Sequence, residues 1–295
     1  MTLVSTWPAT VPCVKVITVT IAVEMARKRL TQIFPFLIPL RTWERVRYYN
    51  LKLSLDKNKY AKDKKELYKN VMYELSYDMI NEGSGYDIEY QYNKADNMRI
   101  STKSIDGLVI HPGETFSVWK SLGFINKKNG YKKGLCIIDG KIEAVYGGGL
   151  CLLSDVLYYA FLHSPLEIVE RHSHKVDSFP IPTDSIPFGV DSTISEGWLD
   201  LKVKNNTDFD IQINIYCTDD NKVITKLLTE KEYKYNYKIT TEDERFVRRD
   251  GHIYHENKVY KNIYEKNKLI KKELLLDNSY LVKYEPDKSI KIEGD

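Results

Sequence analysis

Gly147-Gly148-Gly149-Leu150-Cys151-Leu152-Leu153-Ser154-Asp155-Val156-Leu157-Tyr158-Tyr159-Ala160-Phe161-Leu162-His163 is the stretch around which the rest of the chain organises. Leu153, Val156, Leu157, Ala160 and Phe161 recur at intervals of three and four, the spacing of an apolar helix face. Almost no charge interrupts them, so the helix is expected to be buried. The three glycines before it admit backbone angles closed to other residues and let a second backbone or a ligand come close. Cys151 falls in the first turn, where free backbone N–H groups and the helix dipole favour a thiolate.

Upstream, Cys136-Ile137-Ile138 and Lys141-Ile142-Glu143-Ala144-Val145 flank Asp139-Gly140, a two-residue hairpin signal. Downstream, short apolar runs at residues 167–170, 189–194, 198–203 and 209–216 read as strands. The last of them alternates Phe209, Ile211, Ile213 and Ile215 on one face. The region is therefore α+β: β-rich around one buried helix.

The flanks differ from this centre. Residues 25–73 hold 13 basic and 4 acidic residues, whereas residues 74–217 hold 13 basic and 20 acidic. Arg27, Lys28, Arg29, Arg41, Arg45 and Arg47 interleave with Phe34, Phe36, Trp43, Tyr48 and Tyr49, a segment suited to an anionic membrane surface or to a helix packed by its aromatic side. Residues 62–80, with Leu67, Val71, Leu75 and Met79 four apart, are expected to form an amphipathic helix. Residues 11–23 form an apolar run too short to span a bilayer, and Met25 is a plausible start, so residues 1–24 are expected to be an extension outside the fold. Beyond Thr218 the chain becomes rich in Lys, Glu, Tyr and Asn with alternating runs, read as an ordered β appendage on the middle domain with its last residues frayed. The expected division is 1–24 extension, 25–92 basic helical segment, 93–217 central domain and 218–295 appendage.

In all, the 295 residues are 42% hydrophobic and 29% charged with a net charge of +3, an ordinary globular balance that gives no reason to invoke nucleic acid. Four scattered cysteines, Cys13, Cys136, Cys151 and Cys217, form no CxxC pair, so free thiols are expected, with Cys136 and Cys217 as small buried hydrophobes. There is no Walker loop, GxGxxG, GxSxG or HExxH, which sets aside nucleotide-driven, dehydrogenase, serine-hydrolase and zincin chemistry. A cytoplasmic protein, free or membrane-associated, is the default.

Cys151 has candidate partners downstream. In Glu170-Arg171-His172-Ser173-His174, two imidazoles at alternate positions would share one face of a strand. Asp177 and Asp191 follow, either able to orient an imidazole. A cysteine at a helix start, then histidine, then a carboxylate is the chain order of several thiol enzymes. On that reading Cys151 is the nucleophile, His174 the base with His172 as second choice, and Asp191 the orienter, acting on an amide. Gly147, Gly148, Gly149, Arg171 and Tyr131 are the candidate ligand contacts. A zinc site from Cys151, His172, His174 and Asp191 matches no standard spacing, and no cofactor is expected. The plain alternative is that Cys151 caps a buried helix while the histidines bind loop carbonyls.

These residues resemble the VanW-like family. The resemblance is carried by residues 106–117 (DGLVIHPGETFS), Gly130-Tyr131, Gly147-Gly148-Gly149-Leu150-Cys151 with Leu157-Tyr158, Leu162-His163-Ser164-Pro165-Leu166, Glu170-Arg171, His174, Pro187-Phe188-Gly189 and residues 201–207 (LKVKNNT). It implies a setting in glycopeptide resistance and the cell envelope, with a peptidoglycan precursor or cell-wall fragment as the expected ligand at a Cys/His pocket. The alternative it leaves is a non-catalytic scaffold docked at the membrane by the basic segment. Leu152 departs from the pattern, since the family usually has Gln after this cysteine. If that amide builds an oxyanion site, its loss here counts against catalysis, and if it only caps or packs, nothing follows.

Overall fold

The structure, a computed structural model, describes residues 34–294 apart from 139–140, 175 and 179–185. The expected extension 1–24 lies outside the described residues, as do Cys13 and the hairpin tip at Asp139 and Gly140. The chain divides into two units, residues 1–54 and 55–295. In the first, a short 3-10 turn at Pro35–Leu37 leads into helix α1 (Ile38–Leu55). Leu40, Trp43, Tyr48 and Leu51 of α1 are exposed, with the Arg47 guanidinium 4.9 Å from the Trp43 ring centre.

The second unit runs β1 (Asn70–Asp78), α2 (Ile88–Ile105), β2 (Val109–Ile110), β3 (Thr115–Ser117), a one-turn helix α3 (Val118–Ser121), β4 (Lys133–Ile138), β5 (Lys141–Tyr146) and α4 (Cys151–Leu162). It continues with β6 (Glu167–Glu170), β7 (Val176–Asp177), β8 (Lys202–Lys204), β9 (Ile211–Cys217), β10 (Lys222–Thr229), β11 (Tyr235–Arg249), β12 (His252–Glu265), β13 (Lys268–Val282) and β14 (Ile292–Glu293). The chain is β-rich with few helices, an α+β protein.

Residues 70–78 are a strand where a helix was expected. An interval of four is also twice the strand period, so Tyr73, Leu75 and Tyr77 form one face of β1, while Val71 lies beyond a bulge and is exposed. Pairing with β10 decides it: Leu75 opposes Thr225 and Tyr77 opposes Val223. The helix lies further on, in α2, capped by Asp87, whose carboxylate accepts the Glu89 N–H at 3.0 Å.

β1, β10, β9 and β2 form a sheet in that order, all antiparallel, with α4 packed on β10 and β1 and α2 on β9. Ile211, Ile213 and Ile215 on β9 are fully buried beneath them. So are Leu153, Val156, Leu157, Ala160 and Phe161 of α4, and each large side chain among these contributes about 2 kcal/mol of apolar burial. On the opposite face of β9, Gln212 and Asn214 are also buried, and their amides are satisfied. The Gln212 amide donates to the carbonyls of Lys65 and Gly107, and its oxygen accepts the Tyr68 N–H.

β3, β8 and β6 form a second, antiparallel sheet, and β4 with β5 the hairpin. The run at 198–203 becomes a strand only at its end, in β8, and residues 189–194 are irregular, held by side chains instead of a ladder.

The C-terminal sheet is β14-β11-β12-β13-β7. Two tight turns make its long meander: Asp250-Gly251 and Lys266-Asn267 all have positive φ, between 47° and 73°, and join strands whose last pairs are Arg249 with His252 and Glu265 with Lys268. Near the end expected to fray, Ile292 and Glu293 pair in parallel with Phe246 and Val247.

Candidate functional site

The glycine turn is shaped by what surrounds it. A Cβ on Gly134 would lie 2.3 Å from the Gly148 carbonyl oxygen and one on Gly148 would lie 2.0 Å from the Gly134 oxygen, so the hairpin and the turn meet backbone to backbone. Gly147 and Gly149 have φ of +76° and +88°, and the side chains of Ile125 and Lys94 fill the space a Cβ would need. Asn97 of α2 fixes the junction: its amide donates to the carbonyls of Lys132 and Gly148, and its oxygen accepts the Lys132 N–H. The three glycines expected to receive a ligand are thus in contact with the chain itself. The result is a fixed launching point for α4.

α4 starts without a side-chain cap. Leu152 N–H bonds the Gly149 carbonyl and Leu153 N–H that of Leu150. The N–H groups of Gly149, Leu150 and Cys151 have no hydrogen-bond partner among the described residues.

Across this helix end lies the segment 191–194, pinned from below. The Asp155 carboxylate accepts the Ser192 N–H at 2.6 Å, and the Ser154 hydroxyl donates to the Ser192 carbonyl. The Cys151 Sγ lies 3.4 Å from the Thr193 hydroxyl and 3.9 Å from the Ile194 carbonyl oxygen. His174 lies close enough for the thiol to act on its pKa.

His174 is held by Asp191. The His174 Nδ1 lies 2.6 Å from Oδ2, and the His174 backbone N–H donates to the same oxygen at 2.7 Å. The other oxygen, Oδ1, accepts from Arg171 and from the Tyr280 hydroxyl, both at 2.9 Å. Burial pulls the His174 imidazole down, but its bond with Asp191 and the nearby Cys151 thiol prevail and raise its pKa to about 11. Burial pushes the Asp191 carboxylate up, and its bond to His174, with the charges of His174 and Arg171, brings it below the usual range. Burial raises Asp155 to about 7, against the opposing pull of the His174 charge. His174 keeps 30% of its side chain exposed, and Cys151 is half-buried.

The structure brings together Cys151, His174 and Asp191, and it separates His172. β6 ends at Glu170, so residues 171–174 are not a strand and alternate positions do not share a face. His172 turns instead to Glu170, 3.1 Å away, which also pairs with Lys202. Among the described residues no three His, Cys, Asp or Glu side chains gather as a metal site. Arg171 serves the chain: its Nε donates to the Asp191 carbonyl, a terminal nitrogen donates to the Gly189 carbonyl, and it lies over the Tyr158 ring. Tyr131, expected to meet ligand, is 4% exposed with its hydroxyl 3.1 Å from that of Ser101. Asp177 pairs with His255 and not with His174.

Cys136, Cys151 and Cys217 are free thiols. Cys136 and Cys217 are half-buried where full burial was expected, and burial pushes both thiols up. Sequence reasoning missed Asn97, Asp155, Thr193 and Tyr280. Only Asp155, a lone carboxylate on an apolar helix face, carried a local signal.

Among the described residues no helix is long and apolar enough to cross a membrane. No solved structure matches the chain. Residues 93–228 match the model of the family described as VanW like protein. The vancomycin B-type resistance protein VanW of Enterococcus faecalis is 41% identical over 236 residues, covering 80% of this chain and 86% of that protein. The uncharacterised protein YoaR of Bacillus subtilis is 34% identical over 116 residues, 38% of this chain and 36% of its own. With the family model matching residues 93–228 and a relative this similar across most of its length, the chain belongs to the VanW-like family.

Proposed function

We propose that this protein acts in the bacterial cell-envelope response to glycopeptides, as a thiol-dependent enzyme on amide bonds of peptidoglycan-related molecules. The relative named for vancomycin B-type resistance supports the setting. The chemistry is carried by one observation: His174 is held by Asp191 through Nδ1 and lies near enough to Cys151 for the thiol to raise its pKa. With Nδ1 committed, Nε2 is the nitrogen available to the thiol. His174 takes the Cys151 proton, Asp191 stabilises the imidazolium, and the thiolate adds to an amide carbonyl. The free N–H groups of Gly149, Leu150 and Cys151 are the donors for the developing oxyanion, in the absence of a glutamine at Leu152. His174 then returns its proton to the leaving amine, leaving an acyl group on Cys151 for water or a second amine to remove.

The test is incubation with purified muropeptides followed by mass spectrometry. The wild type breaks or exchanges a stem-peptide amide and traps an acyl group on Cys151, and Cys151→Ala does neither. Unchanged muropeptides alongside a fully folded wild type contradict the reading.

A second reading is a non-catalytic scaffold at the membrane surface, favoured by the exposed Leu40, Trp43, Tyr48 and Leu51 interleaved with Arg41, Arg45 and Arg47. It predicts co-sedimentation with phosphatidylglycerol vesicles that is lost at high salt or in Trp43→Glu.

A further inference from the structure

The segment that supplies His174 and Asp191 is gripped on both sides by the C-terminal sheet. Two residues past His174, β7 pairs in parallel with β13, Val176 beside Leu281 and Asp177 beside Val282. The Asp177 carboxylate meets Nδ1 of His255 at 3.1 Å and accepts the Tyr284 hydroxyl at 3.0 Å. Before Asp191, the Phe188 ring stacks on His255 with centres 3.5 Å apart, and its carbonyl accepts from Asn257. Gly189, at φ +76°, lies so near Asn278 that a Cβ would sit 2.1 Å from its amide nitrogen.

Tyr280 of β13 reaches further, into the site itself. It is 7% exposed, its ring is edge-on to Phe188, and its hydroxyl donates to Asp191 Oδ1. With Arg171 on the same oxygen, Oδ1 holds two donors, and Oδ2 holds the two of His174. A carboxylate anchored at both oxygens cannot rotate about its Cβ–Cγ bond, and the imidazole plane it sets is fixed with it.

We propose that Tyr280 is a positioning residue for the Cys151–His174 pair, so that the C-terminal sheet is part of the reactive site and not an appendage beside it. Tyr280 lies beyond residues 93–228 that match the family model, so the site is completed by a part of the chain outside that match. This rests on the proposed reading of Cys151 and His174 as a reactive pair.

The experiment is the rate of Cys151 alkylation by iodoacetamide against pH in the full chain, with thermal melts alongside, in wild type, Tyr280→Phe, Tyr284→Phe and His174→Ala. Tyr280→Phe keeps the ring against Phe188 and removes the hydroxyl. The expected result is a midpoint raised by roughly half a pH unit, a threefold loss of rate below it, in the same direction as His174→Ala. Tyr284→Phe, which loosens the same sheet at Asp177, leaves the midpoint in place. An unmoved midpoint in Tyr280→Phe, or an equal shift in Tyr284→Phe, overturns the proposal while the shift in His174→Ala keeps the reactive pair. An unmoved midpoint in His174→Ala overturns both. If Tyr280→Phe does not fold, 3-fluorotyrosine at 280 retains the shape and alters only the donor, and its midpoint decides.

Discussion

His174 grips one oxygen of Asp191 twice, through its backbone N–H at 2.7 Å and its Nδ1 at 2.6 Å. Ring and chain are therefore oriented by one carboxylate. Asp191→Ala leaves Arg171 and His174 largely buried without their anion, at a cost of about 3 kcal/mol in urea unfolding. The pH dependence has a definite sign. His174 has a folded pKa of about 11, above its unfolded value, so its share of the stability is complete below about pH 6.5 and lost as pH rises through 11. The gap between wild type and Asp191→Ala is thus widest near pH 6 and narrows toward pH 10.

The acid side of the profile belongs to another histidine. His163 is buried, stacked on Tyr73 with ring centres 3.8 Å apart, and its Nδ1–H donates to the Tyr159 carbonyl at 2.9 Å. Burial lowers its pKa to about 4. Between about pH 6.5 and 4 the unfolded chain takes up a proton that the folded chain does not, so stability falls with pH by up to about 3 kcal/mol. Guanidinium unfolding of wild type and His163→Gln across that range measures it, and the variant shows a flatter profile.

Gly134 and Gly148 touch through their backbones, so neither tolerates a methyl group. Gly134→Ala and Gly148→Ala each cost about 2 kcal/mol or more as the hairpin is pushed off the turn. The two together cost less than their sum, because the first displacement already opens the contact. A double-mutant cycle by thermal melting checks this, and the alkylation rate of Cys151 falls in both single variants as α4 shifts.

Much of this architecture is written in local pattern. The helix at α4, the hairpin around Asp139-Gly140 and the alternation of Ile211, Ile213 and Ile215 each follow from a spacing that only one element satisfies. β1 was misread because an interval of four satisfies two. The strand pairing at β10 that settles it lies some 150 residues away in sequence. In the candidate site, the grouping of Cys151, His174 and Asp191 was legible by residue type and order. His172 was misplaced because the strand ends at Glu170. Tyr280 was invisible, since a tyrosine among 22, in a charged meander, announces nothing until β7 pairs with β13.

Asp155 bears on stability in the opposite sense to His174's carboxylate partner. Its folded pKa is raised to about 7, so the stability it contributes is present below about pH 4 and lost as pH rises through 7. Asp155→Asn keeps an oxygen for the Ser192 N–H and removes the charge. The variant is therefore more stable than wild type above pH 8, by about 1 kcal/mol, and no more stable at pH 4. Thermal melts at the two pH values show the crossover.

The central claim is that Cys151, His174 and Asp191 work as one charged unit, and NMR of the ring nitrogens of His174 tests it most directly. The account predicts an imidazole that stays doubly protonated past about pH 8 in wild type and titrates lower in Cys151→Ala and in Asp191→Ala. A His174 ring that loses its proton near pH 6.5 in wild type, unchanged by either substitution, would contradict it.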